Sequence, residues 1–226
     1  YFTRPWHLPE YTHSANWTVR EICRYIVRRD PTRPSFWYMS FVAPHPPLTP
    51  PEAYTKLYHD LEVDMPFVGD WAEDISTMPY AYKSKQHAIS RRSYSEQMVR
   101  EARRAYYAQC THVDHQLRLV IGTLREEGLL NDTIIMFTAD HGDMLGNHHH
   151  YGKTVFYEDS TKVPMLVVPA AGDNRFNIGS QDGRLTALAD IMPTLLDLCC
   201  VDSPSQVAGL SLAKEIRRDL LDGDLY

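Results

Sequence analysis

The sequence lacks the features that mark membrane proteins and nucleic-acid-binding proteins. No apolar run comes near the roughly 20 consecutive residues that a helix needs to cross a bilayer. Acidic residues outnumber basic ones by 29 to 23, and the formal net charge at pH 7 is −6. Phosphate backbones and anionic headgroups attract basic surfaces. We therefore expect neither a nucleic-acid partner nor a membrane partner.

The sequence also has little cysteine, and its spacing is not that of a disulfide framework. Two cysteines are adjacent in an apolar run, and the other two are far from them: Cys23, Cys110, Cys199 and Cys200. Such residues are expected to be reduced thiols. Reduced thiols favour a cytoplasmic location over a periplasmic or secreted one.

The composition fits one folded domain. The chain has 226 residues, of which 43% are hydrophobic, and this is enough for one substantial core. We therefore expect residues 1–226 to form a single domain. Residues 50–95 show no continuous periodic pattern and are predicted to be a long connection with short elements.

Hydrophobic periodicity predicts an alternation of helices and strands. Apolar residues recur at helical spacing in three segments, and β-branched or aromatic runs lie between them. The pattern predicts helices at 16–29, 95–127 and 186–198, with Gly128 ending the second and Pro193 bending or interrupting the third. Buried strands are predicted at 35–42, 133–138 and 165–168. This alternation is typical of an α/β layered fold.

The most informative run begins in the strand predicted at 133–138 and ends in Asp140, His141 and Gly142. Open α/β sheets place their active sites at the carboxyl ends of strands. A carboxylate and a neutral imidazole are competent ligands for a divalent cation, so Asp140 and His141 are the predicted metal ligands. Lys153 follows in the same loop system and would bring an ammonium to the same anionic substrate. The combination predicts ester hydrolysis at sulfur or phosphorus.

A further candidate site residue, His45, follows the strand predicted at 35–42. Prolines on both sides, Pro44 and Pro46, restrict the backbone around this histidine. An imidazole held in this way would donate a hydrogen bond to a substrate oxygen or protonate the leaving group.

These motifs resemble those of the sulfatase branch of the alkaline phosphatase superfamily. The resemblance rests on Asp-His-Gly-Asp-Met-Leu-Gly at residues 140–146, on Lys153 downstream, and on Phe-Val-Ala-Pro-His-Pro-Pro-Leu at 41–48. It implies a mixed, largely parallel sheet sandwiched between helices. It also implies that Lys153 and His45 are catalytic and bind the substrate. His148 is a further candidate for substrate binding, with a supporting hydrogen bond to another residue as the alternative role.

The resemblance implies parts that this sequence lacks. Family members carry an amino-terminal acidic pair that completes the metal site, followed by Cys-x-Pro-Ser-Arg or its Ser variant, whose first residue becomes a formylglycine nucleophile. None of the four cysteines here begins such a motif. We therefore expect the chain to be the central to carboxyl-terminal part of a longer catalytic domain, truncated at both ends. Such a fragment alone is expected to be inactive.

The identity of the metal depends on His141. The resemblance implies one divalent ion, and the better-known sulfatases favour calcium with Asn at this position. An imidazole here resembles the phosphonate monoester hydrolase and choline sulfatase branches. It shifts the preference toward manganese or zinc.

The resemblance favours metal-dependent hydrolysis of a sulfate monoester, as in arylsulfatases. Hydrolysis of a phosphonate monoester or phosphodiester is the nearest alternative, because it would use nearly the same residues. From another class, the chain would be a non-catalytic domain that binds anions or a metal. The expected partner is a small anionic ester, and a homo-oligomer stays open.

Overall fold

A computed structural model of the chain describes residues 3–74, 76, 94–171, 173 and 176–213. The fold has two compact units, each made of two chain segments. The first unit contains Tyr1–Leu130 and His141–Pro164, and the second contains Asn131–Asp140 and Met165–Tyr226. The expectation of a single domain over residues 1–226 stays a prediction.

The first unit is built on helices α1 (Ser14–Val27) and α3 (Glu96–Glu126), with the short helices α2 (Glu52–Tyr58) and α4 (Glu158–Thr161). Helix α1 buries one face, formed by Ala15, Val19 and Ile26. Spacings of four and seven residues place these side chains on one side of a helix. The helix predicted at 16–29 is therefore confirmed, and it begins two residues earlier.

Helix α3 has a capping group at each end. The Ser95 hydroxyl accepts a hydrogen bond from the Met98 N–H at 3.3 Å. At the other end Gly128 has a φ of +71°, and the Leu129 N–H donates to the Leu124 carbonyl at 2.8 Å. This is the left-handed termination that glycine favours. The predicted helix at 95–127 and its ending at Gly128 are confirmed.

A small core joins α3 to the chain segment that carries His45. Leu48 is fully buried and packs with Ala102, Ala105 and Tyr106 of α3. Because alanine side chains are short, the segment lies close to the helix axis. Only two residues, Pro46 and Pro47, separate Leu48 from His45, so this core fixes the position of the candidate site residue.

The strand predicted at 35–42 is wrong. None of these residues lies in a strand, and Phe36, Tyr38 and Val42 are 77%, 81% and 72% exposed. A strand requires a neighbouring chain that completes its ladder of hydrogen bonds. The described strands pair only with each other, and both belong to the second unit. The aromatic and β-branched composition therefore indicated neither the conformation nor the burial of this segment.

The second unit contains the strands β1 (Ile135–Thr138) and β2 (Met165–Val168) and the helix α5 (Ile191–Leu198). The strands pair in antiparallel register, with Ile135 opposite Val168 and Thr138 opposite Met165. Both predicted strands are confirmed in position, although β2 alternates between partly buried and exposed residues. Within the described ranges the sheet is antiparallel, so the expected largely parallel order is not seen there.

Helix α5 begins later than predicted. The helix expected at 186–198 starts at Ile191, after a 3-10 turn at Leu188–Asp190. Pro193 therefore lies in the first turn, where the missing N–H has no intrahelical partner to lose. The helix therefore accommodates Pro193 without the bend predicted at this residue. Leu198 packs with Phe176 and Ala213 to form the core of this unit.

All four cysteines are free thiols, as predicted. No helix in the described part of the chain is long and apolar enough to cross a membrane. Helix α2 and a 3-10 turn at Asp70–Ala72 confirm short elements within 50–95. Positions 75 and 77–93 of that connection lie outside the described residues.

Candidate active site

The first unit brings His45 and Lys153 into direct contact. The Lys153 Nζ lies 2.8 Å from the His45 Nε2, and the His45 Nδ1 lies 2.7 Å from the Pro46 carbonyl oxygen. A carbonyl only accepts, so Nδ1 carries the imidazole proton and Nε2 holds the lone pair. An ammonium has three N–H donors, and one of them donates to His45. Two donors of Lys153 therefore remain for an anion.

His141 lies beside this pair and has the same hydrogen-bonding pattern. Its ring centroid is 6.2 Å from that of His45, and its Nδ1 lies 2.8 Å from the Gly142 carbonyl oxygen. Donation from Nδ1 leaves the lone pair on Nε2. A backbone carbonyl that fixes the tautomer is the usual support for a metal-binding imidazole. The local geometry therefore fits the role predicted for His141.

Gly142 sets how closely the next helix approaches this histidine. The Gly142 N–H donates to the Ser160 carbonyl in α4 at 2.9 Å. A Cβ atom at position 142 would lie 2.0 Å from the Asp159 carbonyl oxygen. Only glycine fits such a backbone approach. The Asp-His-Gly order therefore has a steric cause as well as a chemical one.

The loop between Asp143 and Lys153 is closed by a single carboxylate. The Asp143 Oδ1 accepts from the Leu145 N–H at 2.9 Å and from the Gly152 N–H at 3.0 Å. The Met144 N–H also donates to the Gly152 carbonyl at 2.8 Å. These bonds join the two ends of the loop next to Lys153. Asp143 therefore positions the lysine by holding the loop.

Helix α3 supports the same loop through Arg103. Arg103 is only 5% exposed. Its guanidinium donates to the Leu145 carbonyl at 2.9 Å and pairs with Asp64. Tyr107 donates to the other carboxylate oxygen of Asp64 at 2.8 Å. Hydrogen bonds between a guanidinium and a carboxylate are stronger than those between neutral groups. The loop is thereby held to the longest helix of the unit.

His148 lies in a neighbouring group of aromatic rings. Its Nδ1 accepts from the Gly69 N–H at 3.2 Å, and its backbone N–H donates to the Phe67 carbonyl at 2.8 Å. Burial lowers the pKa of His148, while Asp159 acts in the opposite direction. The imidazole thus supports the segment at 67–69. Its predicted contact with substrate stays a prediction.

The predicted metal ligands are consecutive in the chain, but Asp140 belongs to the second unit and His141 to the first. The Asp140 side chain is exposed. Among the residues that the structure describes, no three His, Cys, Asp or Glu side chains lie together as a metal cluster. A carboxylate and an Nε2 lone pair fit part of a ligand set, and both assignments stay predictions.

The sequence assigns no roles to Asp143 and Arg103. Asp143 is part of the motif that carries the resemblance, so its position was available as a signal. Arg103 lies in the helix predicted at 95–127, yet nothing in helical spacing indicates that its side chain turns toward a loop.

The chain is similar to known proteins over most of its length. The sulfatase family profile matches residues 1–201. An arylsulfatase from Clostridium perfringens is 37% identical over 230 residues, which cover 98% of this chain and 47% of that protein. The multifunctional alkaline phosphatase superfamily protein PehA from Trinickia caryophylli is 29% identical over 221 residues, which cover 92% of this chain and 42% of that protein.

A solved structure shows the same fold. The phosphonate monoester hydrolase from Silicibacter pomeroyi matches with a TM-score of 0.76 at 25% identity, over 94% of this chain and 43% of that one. The fold is accordingly the α/β fold of the alkaline phosphatase type, as expected. This chain spans about half the length of the curated relatives it matches. With its motifs and its match over residues 1–201, the chain belongs to the sulfatase family.

Proposed function

We propose that this chain takes part in the hydrolysis of a sulfate monoester, with a small anionic ester as substrate. The observation that carries the proposal is the contact between the Lys153 Nζ and the His45 Nε2 at 2.8 Å. This contact holds an ammonium in one place, with two N–H donors for sulfate oxygens. An arylsulfatase at 37% identity supports sulfur as the reacting centre.

The roles of the two residues follow from the direction of their hydrogen bond. Lys153 is the donor, so it would bind the non-bridging oxygens of the sulfate group and stabilise charge that shifts during reaction. His45 is the acceptor, and its Nδ1 proton is held by the Pro46 carbonyl. His45 therefore orients the ammonium in this state. It would donate to the leaving oxygen only after gaining a proton at Nε2.

Membership of the sulfatase family implies a divalent metal and a formylglycine nucleophile. His141 would hold the metal through Nε2, with Asp140 as a second ligand by sequence. Bound there, the ion would act as a Lewis acid on an ester oxygen and lower the pKa of the nucleophile. Calcium is our proposal from the family, and manganese or zinc is the alternative because of the imidazole. No cysteine of this chain lies in the nucleophile motif.

A specific observation supports hydrolysis of phosphonate monoesters as the second candidate. The imidazole of His141 stands where better-known sulfatases carry an amide, and the matching structure from Silicibacter pomeroyi is a phosphonate monoester hydrolase. The two reactions differ in the central atom, while both place anionic oxygens near Lys153.

Rate measurements on the complete gene product decide between these two reactions. Initial rates should be measured on an aryl sulfate and an aryl phosphonate monoester side by side. We expect faster turnover of the sulfate, and a loss of about 10²–10³ in kcat with Lys153→Ala, by analogy with removal of one oxyanion donor. Lys162→Ala is the matched control, because this lysine is 77% exposed at the end of α4 and pairs with the exposed Glu158.

The other outcomes have distinct meanings. Faster turnover of the phosphonate would establish the second candidate. Absence of turnover on both esters, with retained binding of inorganic sulfate that Lys153→Ala removes, would make the protein a non-catalytic anion-binding protein.

A further inference from the structure

Two arginines of α3 each pair with a carboxylate of the segment at 62–64. Arg100 contacts Glu62 at 2.7 Å, and Arg103 contacts Asp64. A spacing of three residues places both guanidinium groups on one side of the helix. The two pairs are therefore alike in chemistry, and they differ in what else each arginine contacts.

Arg103 is the more buried of the two arginines, and it reaches the loop that ends at Lys153. The Arg103 side chain is 6% exposed and that of Arg100 is 24% exposed. The Arg103 guanidinium donates to the Leu145 carbonyl at 2.9 Å. Arg100 instead has a second partner in its own helix, Glu96, at 2.7 Å. Arg103 therefore joins the segment at 62–64 to the loop through α3.

The loop that carries the candidate lysine has an unusual backbone. Leu145 has a φ of +44°, and three further residues have φ values of +53°, +62° and +83°: His148, His149 and Thr154. Residues with a Cβ rarely adopt this left-handed region, and they stay there only when the surrounding contacts hold them. The conformation of the loop is therefore strained, and contacts from outside the loop help to keep it.

Leu145 is held on both sides of its Cα atom. Leucine has no polar side-chain group that could stabilise a left-handed backbone locally. The Leu145 N–H donates to Asp143 Oδ1 at 2.9 Å, and its carbonyl accepts from Arg103 at 2.9 Å. The same Asp143 oxygen accepts from the N–H of Gly152 at 3.0 Å, and Gly152 precedes Lys153 in the chain. A continuous path of bonds therefore leads from Arg103 to the lysine.

Stability alone does not explain a buried guanidinium at this place. Within the described residues, the buried Nε of Arg103 has no hydrogen-bond partner. Burial of a charged group costs free energy, and an unsatisfied donor adds to that cost. The partner carboxylate of Asp64 is 66% exposed, so water screens the attraction within the pair. The bonds of Arg103 therefore contribute more to the position of the loop than to stability.

Asp64 anchors the guanidinium from the side opposite in the chain to the loop. One of its carboxylate oxygens pairs with Arg103, and the other accepts from the Tyr107 hydroxyl at 2.8 Å. Burial acts to raise the pKa of Asp64, but the bond from Tyr107 and the charge of Arg103 outweigh burial and lower this pKa. The carboxylate is therefore ionised at neutral pH and holds one edge of the guanidinium.

We propose that Arg103 and Asp64 are positioning residues for Lys153, because together they keep the strained loop in the conformation that presents the ammonium to the sulfate group. This proposal rests on the proposed sulfate ester hydrolysis for its effect on turnover. Both residues act through the loop and not on the ester itself.

The first test measures turnover of an aryl sulfate by the complete gene product. Arg103→Ala should lower kcat/KM roughly tenfold to a hundredfold, because a reacting group that is misplaced by a small distance loses rate steeply. Guanidinium chloride at a concentration too low to denature should restore part of this loss, whereas sodium chloride at the same concentration should not. Arg103→Lys should retain intermediate activity, since an ammonium lacks the planar fork that reaches two partners.

Each positioning residue has a matched control in the neighbouring pair. Arg100→Ala removes the more exposed arginine, and Glu62→Gln removes the charge of its partner. We expect both controls to keep the wild-type kcat/KM and to show no response to guanidinium. Asp64→Asn should lower kcat/KM by a smaller factor than Arg103→Ala, because an amide oxygen still accepts a hydrogen bond. Equal losses in the two pairs would overturn the proposal.

The second test needs no turnover and keeps the two proposals separate. The complete gene product is labelled with isotopic lysine, and Lys153→Ala assigns the ammonium resonance of Lys153. Arg103→Ala and Asp64→Asn should shift this resonance, whereas Arg100→Ala should leave it in place. The shift is expected because the Lys153 Nζ contacts the His45 Nε2 at 2.8 Å and loses this position when the loop relaxes.

The outcomes of the second test are distinct. A Lys153 resonance that stays in place in Arg103→Ala and Asp64→Asn overturns the positioning proposal. Asp64→Asn decides alone if Arg103→Ala does not fold, because the Asp64 side chain is mostly exposed. A shifted resonance in a protein without sulfatase turnover overturns only the proposed reaction.

Discussion

Two pairs of histidines in the first unit show how the same residue type serves different ends. At the candidate site, His45 and His141 each place Nδ1 within 2.8 Å of the next residue's carbonyl oxygen. Between α1 and α3, His13 and His112 are 3% and 0% exposed, with ring centroids 4.7 Å apart. Burial lowers the pKa of both buried histidines, that of His112 to about 4.

The difference lies in what surrounds each imidazole. The His45 Nε2 faces the Lys153 Nζ at 2.8 Å, because a backbone carbonyl holds the other ring nitrogen. His112 donates from Nε2 to the side-chain Oδ1 of Asn16 at 2.9 Å and is surrounded by packed rings, including Tyr54. A histidine thus becomes a site residue through a fixed tautomer and an accessible nitrogen, and it becomes a packing residue through burial.

The largest effect on the site side is expected from Gly142→Ala. A methyl group there would meet the Asp159 carbonyl oxygen, so α4 must move away from His141. We expect a loss of roughly 1–3 kcal/mol in the free energy of unfolding, as for overpacked sites, together with reduced activity. Denaturant unfolding of the complete gene product measures the change.

Gly122→Ala is the matched control. Apart from the adjoining backbone of α3 itself, no atom lies within 4 Å of a Cβ at that position, and alanine is favoured over glycine in helices by about 1 kcal/mol. This variant should be as stable as the wild type or more stable. Equal destabilisation by both substitutions would show that the close approach at Gly142 has no special weight.

A smaller effect is expected from Asp143→Ala. The substitution removes the acceptor shared by the Leu145 and Gly152 N–H groups, so the loop that carries Lys153 loosens. We expect kcat/KM for the aryl sulfate to fall by roughly tenfold, about 1.4 kcal/mol, while Asp143→Asn retains an acceptor oxygen and most of the activity. Similar losses in both variants would assign Asp143 a role through its charge rather than through the loop.

An effect on stability alone is expected from the buried histidine His112. Because the pKa of His112 is lowered to about 4 from 6.5, the unfolded state gains a proton first as the pH falls. Its contribution to stability is therefore complete above pH 6.5, declines between 6.5 and about 4, and is constant below that. Urea midpoints at pH 7 and pH 5 should differ less in His112→Gln than in the wild type. An unchanged difference would contradict the assignment of His112 as a buried neutral imidazole.

Much of the fold was predictable where periodicity is strong. Helices α1 and α3 have long apolar faces and clear ends, such as Ser95 and Gly128. The run at 35–42 shows the limit of the method, because composition indicates β-structure without indicating whether a partner strand lies beside it. The start of α5 was missed because 3-10 and α-helical turns share one apolar spacing.

The candidate site could be predicted only in part. His45 and Lys153 come from separate motifs of the sequence, and the structure places them in contact. The direction of their hydrogen bond was not predictable, because it depends on the Pro46 carbonyl.

The central claim is that His45 and Lys153 act as one unit that binds the sulfate group. The most direct test is a double-mutant cycle on the complete gene product with His45→Ala, Lys153→Ala and the double variant, measured as kcat/KM for an aryl sulfate. Residues that act through each other are not additive. The account predicts that the double variant is no slower than Lys153→Ala alone. Losses that multiply would contradict it, because the two residues would then act independently.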